Sequence, residues 1–190
     1  PLAQVISVQG IMCRDASDLS LATEVMIRPD ARDPLCPPIP WKGPSSTEPI
    51  SVAVTKDPCG YPIHDGILDL IDRAAESLAD AGYRVVEVDT PSIEEPFRDW
   101  FRTLTTEMNT ALMPQVREHG SSDIKTTFDY FFQMGELLER DDYINGFGDR
   151  TRMMRDWNLF LVDYPLVVTP FYMNRLYDWD YDLQSFDTCK

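Results

Sequence analysis

The feature that most constrains the fold is a strand–helix–strand pattern near the middle of the chain. The run SVAVTK (51–56) is rich in β-branched residues, and YRVVEVD (83–89) has the same character. Between them, ILDLIDRAAESLADA (67–81) places apolar residues on one helical face, and Gly82 follows as a left-handed stop. Strands joined by a helical crossover pair in parallel with a right-handed connection, so we predict a βαβ unit over 51–90.

Helical periodicity dominates the chain after this unit and predicts a helical cover over 96–164. Pro96 suits a first helical turn, Pro114 should kink or break the far end of that helix, and further helices are expected at 122–140 and 141–164. The run PLVVTP that follows is typical of a buried strand. The predicted fold is α/β, a partial mixed sheet covered by helices, with strands near 51–56, 84–89 and 165–169.

The chain before the βαβ unit divides into a helix and a proline-rich connector. Asp15 or Ser17 can cap a helix over 15–27, because a side-chain oxygen there accepts an otherwise unpaired backbone N–H. Residues 29–50 hold seven of the fifteen prolines, which predicts an extended surface connector. We predict one partial domain with five consecutive parts: 1–28 (connector and helix), 29–50 (connector), 51–90 (βαβ unit), 96–164 (helical cover) and 165–190 (strand and loop tail).

Composition disfavours several classes of function. The 190 residues include 32 acidic and 17 basic side chains, a formal net charge of −15, whereas nucleic acids and anionic membranes attract basic patches. No apolar run approaches the roughly 20 residues that span a bilayer, and no signal peptide is visible. The four cysteines form no C-x-x-C pair, which favours free thiols in a reducing cytosol over structural zinc. We therefore expect a cytoplasmic protein without nucleic-acid, membrane or metal partners.

Catalytic signatures are sparse, and each candidate has a structural alternative. His64 and Asp65 follow the first predicted strand, at the edge where open α/β sheets bind ligands, so His64 could be a general base in a small enzyme. A helix cap at Asp65 and a loop position for His64 explain the pair better. Lys56 is explained as a strand-end charge, and Ser45-Ser46 has no base at a recognisable offset.

Aromatic residues on the predicted helices have two possible roles. Their helical spacing favours a core over an apolar pocket; the residues concerned are Trp100, Phe101, Tyr130, Phe131, Phe132 and Trp157. If a pocket forms, we expect five positions to line it: Trp100, Leu104, Tyr130, Thr169 and Phe171. Of these we prefer Thr169 and Phe171, because both follow the carboxyl end of a predicted buried strand.

An ordered set of short motifs carries a family resemblance. The first stretch reads Gln9-Gly10-Ile11-Met12-Cys13-Arg14, then Asp18-Leu19, then Arg28-Pro29-Asp30-Ala31-Arg32-Asp33-Pro34. It resembles the amidase signature family, whose members read G-P-M/L-A/C-R, then D-L on a helix, then G-P-D-x-R-D-P. A V-A-V strand, a helix ending A-D-A-G-Y, V-x-x-V and a strand ending T-P follow in a similar order. The pattern is most similar to amidases of the indoleacetamide hydrolase type.

The resemblance implies hydrolysis of a carboxamide to a carboxylate and ammonia or an amine, through a serine acyl-enzyme and without metal or organic cofactor. In the family, a serine nucleophile, a second serine in a cis peptide and a lysine base lie upstream of the matched segment. No G-S-S-G-G or G-G-S sequence occurs in this chain. Ile11 stands where the family usually has proline, and Arg28 where it often has a small residue.

From the resemblance we expect an internal or C-terminal-half piece of an amidase. It would hold no catalytic residue, be inactive alone, and shape which acyl group fits. The expected partners are a small amide substrate in the parent protein and either the remaining amidase polypeptide or a second copy. Arg14 would pair with an acid of the catalytic half rather than contact substrate. The alternative is a stand-alone, non-catalytic α/β binding or interaction module derived from an amidase.

Overall fold

The computed structural model describes residues 9–33, 35, 36, 38, 40, 42, 43 and 47–190. They fall into two compact units that divide in sequence between Thr47 and Glu48, near the end of the predicted connector. The first unit contains helix α1 (Ala16–Met26), and its N-cap is Asp15, whose carboxylate accepts from the Asp18 N–H at 2.9 Å. The predicted helix and cap are confirmed, and no residue of α1 is buried.

A tight turn follows α1 and is organised by Asp30. Its carboxylate accepts from the Arg32 backbone N–H at 2.9 Å and from the guanidinium at 2.9 and 2.8 Å. These side-chain and backbone hydrogen bonds from Arg32 lower the pKa of Asp30 to about 2. Because both side chains are exposed, the pair contributes little to stability; it fixes the shape of the turn in the Asp30-Ala31-Arg32 motif.

The second unit is built on a three-stranded parallel sheet with the order β2–β1–β3. The strands are β1 (Ser51–Val54), β2 (Arg84–Glu87) and β3 (Leu166–Val168). In the register, Val52 of β1 pairs with Val85 on one side and Leu166 on the other. Every residue of β1 is buried, as expected of a central strand in a parallel sheet. All three predicted strands are therefore present, and each is shorter than its sequence pattern suggested. The prediction that the third is buried is wrong, because β3 lies at the edge of this sheet and none of its residues is buried.

Helix α2 (Asp65–Asp80) connects β1 to β2 and packs against β2 and β3. This confirms the predicted βαβ unit. Only Ile71 of α2 is buried, on the apolar stripe that the sequence defines. Gly82 has a φ of +92°, a backbone conformation that glycine adopts without the steric cost of a Cβ atom, and the chain turns there into β2.

Four helices lie between β2 and β3: α3 (Glu94–Ala111), α4 (Met113–His119), α5 (Ser122–Met134) and α6 (Arg140–Asp163). The predicted break is confirmed, because α3 ends before Pro114 and α4 carries this proline in its first turn. The predicted helix over 122–140 is wrong at its end, since α5 stops at Gly135. This glycine is buried against α3, where an added Cβ would lie 3.0 Å from the Phe101 ring.

The core of the helical part forms where α4 meets α5. Met113, Val116 and Phe128 are buried together, and Met108, Phe131 and Phe132 pack around them. Phe131 also contacts Phe101 edge-on, with ring centroids 5.8 Å apart, which joins α5 to α3. For these phenylalanines the core interpretation of the aromatic pattern is confirmed.

Polar contacts hold α6 against α3 and the loop before it. The Trp157 indole N–H donates to the Ser92 carbonyl at 3.2 Å, and the Tyr143 hydroxyl donates to Glu107 at 2.5 Å. Arg152 forms an ion pair with Glu95. These bonds fix the long helix in place by directional contacts at both of its ends.

The tail after β3 was predicted as loop, and this is wrong for two short stretches near its end. A 3-10 turn (Tyr181–Leu183) and a four-residue helix, α7 (Phe186–Cys189), lie there. Ser185 and Thr188 form a reciprocal capping box at the start of α7, and Phe186 contacts Tyr130 of α5 with centroids 6.0 Å apart. A helix of four residues is too short to show a hydrophobic period, so capping and docking define it instead. Within the described part of the chain, no helix has the length and apolar character needed to cross a membrane.

Replacing Gly120 with alanine should destabilise the protein by roughly 1–3 kcal/mol, because overpacking forces neighbours to shift. The added Cβ would lie 2.5 Å from the Val116 carbonyl oxygen and 2.8 Å from a methyl carbon of Ile124. Gly146→Ala in α6 is the matched control, since nothing lies within 4 Å of its added Cβ. That variant should gain about 0.5–1 kcal/mol from helix propensity. Urea unfolding measures both, and equal effects of the two changes would contradict this packing.

Replacing Asp99 with asparagine should stabilise the protein at neutral pH. Partial burial and the nearby carboxylates of Asp149 and Glu95 raise the pKa of Asp99, against the opposing charges of Arg102 and Arg152. Since the pKa is higher in the folded state, ionisation costs stability above that pKa and costs nothing well below the ordinary value.

The gain from Asp99→Asn should therefore be present at pH 7 and vanish by about pH 3, below the ordinary pKa of an aspartate. Asp129→Asn, at an exposed position of α5, is the control and should change stability by less than about 0.5 kcal/mol. Denaturant unfolding at a series of pH values measures both. A gain for Asp99→Asn that stays constant with pH would refute the electrostatic origin.

Candidate functional site

The candidate site lies where the chain reverses its direction of travel across the sheet. From β1, helix α2 leads to β2 on one side, and the later helices return the chain to β3 on the other. In open parallel sheets, ligands bind outside the carboxyl ends of the strands at such a switch point. Here those strands are β1 and β3. The site is therefore expected among Thr55, Thr169 and the loops that follow them, 55–64 and 169–175.

Thr169 supplies an unusual polar group at this edge. Its hydroxyl oxygen is buried and has no hydrogen-bond partner among the described residues. Beside it, the Thr55 N–H donates to the Val168 carbonyl at 3.0 Å, which extends the pairing of β1 and β3 to their ends. A buried hydroxyl without a partner costs about 1–3 kcal/mol. The Thr169 hydroxyl is thus the one buried side-chain nitrogen or oxygen among the described residues that has no hydrogen-bond partner.

His64 has a structural position that differs from the one predicted. It is the N-cap of α2: its Nδ1 accepts from the Gly66 N–H at 3.0 Å, while Asp65 is the first helical residue. The prediction of Asp65 as the cap and His64 as a plain loop residue is therefore wrong. An acidic side chain at Asp65 is still favourable there, because the first turn of a helix attracts negative charge.

Both ring nitrogens of His64 face N–H donors. Gly66 approaches Nδ1, and the Arg175 Nε–H approaches Nε2 at 2.8 Å. The His64 backbone N–H donates in turn to the Met173 carbonyl at 2.9 Å. A general base needs a ring nitrogen directed at the proton that it removes. The arrangement does not favour His64 as a base.

Lys56, which follows β1 closely, is paired rather than available for chemistry. Its ammonium lies 2.6 Å from a carboxylate oxygen of Asp72 on α2. The hydrogen bond to Asp72, with the nearby charge of Glu87, raises the pKa of Lys56. A raised pKa keeps the amine protonated, which is the opposite of what a catalytic lysine base requires. The strand-end interpretation of Lys56 is supported.

The five residues predicted to line a pocket lie in three places. On α3, Leu104 is partly buried, and Trp100 packs against Phe97 and Phe101 with centroids 5.8 and 6.4 Å away. Tyr130 lies on α5 against α7. Thr169 and Phe171 follow β3, with Phe171 fully exposed. Thr169 and Phe171 thus belong to the candidate site by position, and a pocket that unites all five stays a prediction.

The remaining residues that the sequence singled out are not among those that the structure places at this edge of the sheet. Arg14 is exposed and directly precedes the α1 cap, so its role stays a prediction. Ser45 and Ser46 lie outside the described residues. Within the described part of the chain, no group of three or more histidine, cysteine or acidic residues is placed to hold a metal ion.

Sequence reasoning missed Met173 and Arg175, which hold the loop after β3. Arg175 contacts His64 across 111 positions of sequence. No local pattern could signal such a pairing, because both partners lie in irregular segments. Only the topology, which brings the ends of β1 and β3 together, predicts that these two loops are neighbours.

Comparison with known proteins places the chain in a family of enzymes. The Amidase family model matches residues 1–179. The chain therefore belongs to the amidase family, as the sequence motifs indicated. A solved fatty acid amide hydrolase has the same fold over 86% of this chain and 30% of its own, with a TM-score of 0.71 and 19% identity. This likeness shows the α/β fold.

Two curated relatives are indoleacetamide hydrolases. The protein from Bradyrhizobium diazoefficiens is 34% identical over 172 residues, which cover 89% of this chain and 32% of the relative. The protein from Bradyrhizobium japonicum is 30% identical over 169 residues, covering 89% and 36%. The chain thus spans about a third of the length of the curated relatives that it matches.

Replacing Thr169 with valine should raise the free energy of unfolding by roughly 1–3 kcal/mol, because the change removes a buried unpaired hydroxyl and keeps the shape. Thr105→Val is the matched control. The Thr105 hydroxyl is also buried, but it donates to the Phe101 and Arg102 carbonyls at 2.9 and 3.1 Å, so its loss should cost about 1 kcal/mol. Thermal and urea unfolding measure the free energy of unfolding of both variants. A destabilised Thr169→Val variant would mean that the hydroxyl has a partner.

Proposed function

We propose that this protein is a portion of an amidohydrolase that converts a carboxamide to a carboxylate and ammonia or an amine through a serine acyl-enzyme. The observation that carries the proposal is the match to the Amidase family model over residues 1–179. Its two indoleacetamide hydrolase relatives suggest the substrate class, a small amide with an aromatic group. An acyl-enzyme splits a difficult hydrolysis into two easier steps, which is the chemistry that a serine nucleophile supplies.

In this proposal the chain supplies fold and substrate-pocket wall but not the nucleophile. The sequence has no Gly/Ser-rich block of the amidase signature type. Two side chains with basic groups are already engaged, Lys56 by Asp72 and His64 by the N–H of either Gly66 or Arg175. The serine, the second serine and the lysine would come from the part of the family sequence that lies upstream of the matched segment.

The pocket wall would be formed around the carboxyl end of β3. The Thr169 hydroxyl has no partner among the described residues and would bond the polar end of an amide once the segment 169–175 shifts to expose it. The fully exposed Phe171 offers an aromatic surface to an aryl group. Trp100, Leu104 and Tyr130 would add apolar surface from α3 and α5. A wall of this kind selects substrates by which acyl group it accepts, because unpaired buried polar groups penalise the wrong one.

The proposed macromolecular partner is the remaining amidase polypeptide, with a second copy of this chain as the other candidate. Apolar side chains of α1, such as Leu21 and Val25, are 66% and 58% exposed. Leu166 of the edge strand β3 is 43% exposed. Exposed apolar side chains and a sheet edge favour cover by further polypeptide.

The direct test compares this chain with a polypeptide that joins it to the serine–serine–lysine block. Both are incubated with indoleacetamide, and ammonia and the indole acid are quantified. The longer polypeptide should hydrolyse the amide, a variant without the nucleophilic serine should not, and the chain alone should give no turnover. If the longer polypeptide hydrolyses no amide while this chain binds a ligand or protein, the stand-alone binding module is the better account.

Substitutions of Thr169 test the proposed pocket wall separately from the proposed hydrolysis. In the longer polypeptide, Thr169→Val should lower kcat/KM by about 10- to 100-fold, the effect of losing one buried hydrogen bond to substrate. Thr169→Ser retains the hydroxyl and should retain most of the activity. Equal activity of the Val and Ser variants would exclude Thr169 from substrate contact.

A further inference from the structure

The segment after β3 is tied to the start of α2 through a single residue. The His64 backbone N–H donates to the Met173 carbonyl at 2.9 Å, and the Arg175 Nε–H donates to His64 Nε2 at 2.8 Å. We propose that His64 and Arg175 form a clasp that positions residues 169–175, and with them Thr169 and Phe171, for substrate. The clasp is a pair of positioning residues, and its effect on substrate rests on the proposed function.

The clasp matters because few other contacts fix this segment; one joins the rings of Tyr172 and Tyr177, with centroids 5.8 Å apart. Pro170 is buried at its start, but Phe171 is fully exposed and Leu176 is 93% exposed. Such side chains give little apolar burial to offset the conformational entropy that an ordered backbone loses. Strand β3 holds one end of the segment, and the two bonds to His64 hold the other.

The His64 ring can make only one of its two observed bonds at a time. A neutral imidazole has one protonated nitrogen, which donates, and one bare nitrogen, which accepts. Accepting from Arg175 at Nε2 requires the proton on Nδ1, whereas capping α2 through Nδ1 requires it on Nε2. Clasp and cap are therefore alternative tautomers. The backbone bond to Met173 is compatible with both.

Because the bond to Arg175 and the cap of α2 use different ring nitrogens of His64, a substitution can remove one of them and keep the other. His64→Asn places a short amide at the N-cap, where asparagine is among the best residues, but it cannot reach Arg175. His64→Gln reaches about as far as Nε2, so its oxygen can accept from Arg175 while the cap is lost. Arg175→Met removes the donor without touching α2, which keeps the test valid if changes at His64 disturb folding.

The first measurement is hydrogen exchange of this chain. Its readout is the backbone amide of residue 64, which donates to the Met173 carbonyl, and the amides of α5 are the internal reference. His64→Asn and Arg175→Met should speed exchange of this amide by about tenfold, the loss of one charge-assisted hydrogen bond. His64→Gln should retain the protection of residue 64 and lose that of the Gly66 amide, which Nδ1 caps. Unchanged protection of residue 64 in both His64→Asn and Arg175→Met would overturn the clasp.

The second measurement is indoleacetamide kinetics in the longer amidase polypeptide. His64→Asn should raise KM several-fold with kcat nearly unchanged, and His64→Gln should restore KM, a split that a general loss of folding would not produce. An unchanged KM in an active His64→Asn enzyme would overturn the positioning role. If even the unsubstituted polypeptide hydrolyses no amide, the proposed function fails, and the exchange data alone decide on the clasp.

Discussion

The parallel pairing of β1 on both of its edges is the constraint on which the second unit depends. Val52 pairs with Val85 of β2 and with Leu166 of β3, and the strand is buried along its whole length. Because β1 is central, the chain must leave it in one direction and return on the other side. That requirement brings the loops after β1 and β3 to one edge, where they can form a ligand site that neither could form alone.

Two polar side chains at this edge have unfavourable hydrogen bonding, which lowers the stability of the fold locally. The Thr169 hydroxyl is buried without a partner, and His64 faces two donors although its ring can accept from only one. In the part of the chain that the structure describes, no other buried side-chain nitrogen or oxygen lacks a partner; Trp157 bonds Ser92, and Lys56 pairs with Asp72. Local departures from good bonding in an otherwise consistent fold are expected where a protein binds its ligand.

The sequence pattern predicted those parts of the fold that depend on local spacing. The apolar stripe of α2, its stop at Gly82 and the break before Pro114 all follow from period and residue type. Features set by distant contacts could not be predicted in this way: Gly135 ends α5 against Phe101, and α7 is held by Tyr130. At the candidate site, the position of Thr169 directly after β3 followed from the sequence, although the prediction that this strand is buried was wrong. The bond of Arg175 to His64 could not be predicted, because it joins residues 111 positions apart.

In the proposed function, the carboxyl ends of β1 and β3 form the substrate wall of an amidase whose nucleophile lies in another part of the polypeptide. A crystal structure of the longer polypeptide, with a nucleophile-deficient variant bound to indoleacetamide, tests this claim most directly. We predict the amide at the switch point, with a polar atom within about 3.5 Å of the Thr169 hydroxyl, the upper limit of a hydrogen bond. A bound amide that contacts neither Thr169 nor the segment 169–175 would contradict it.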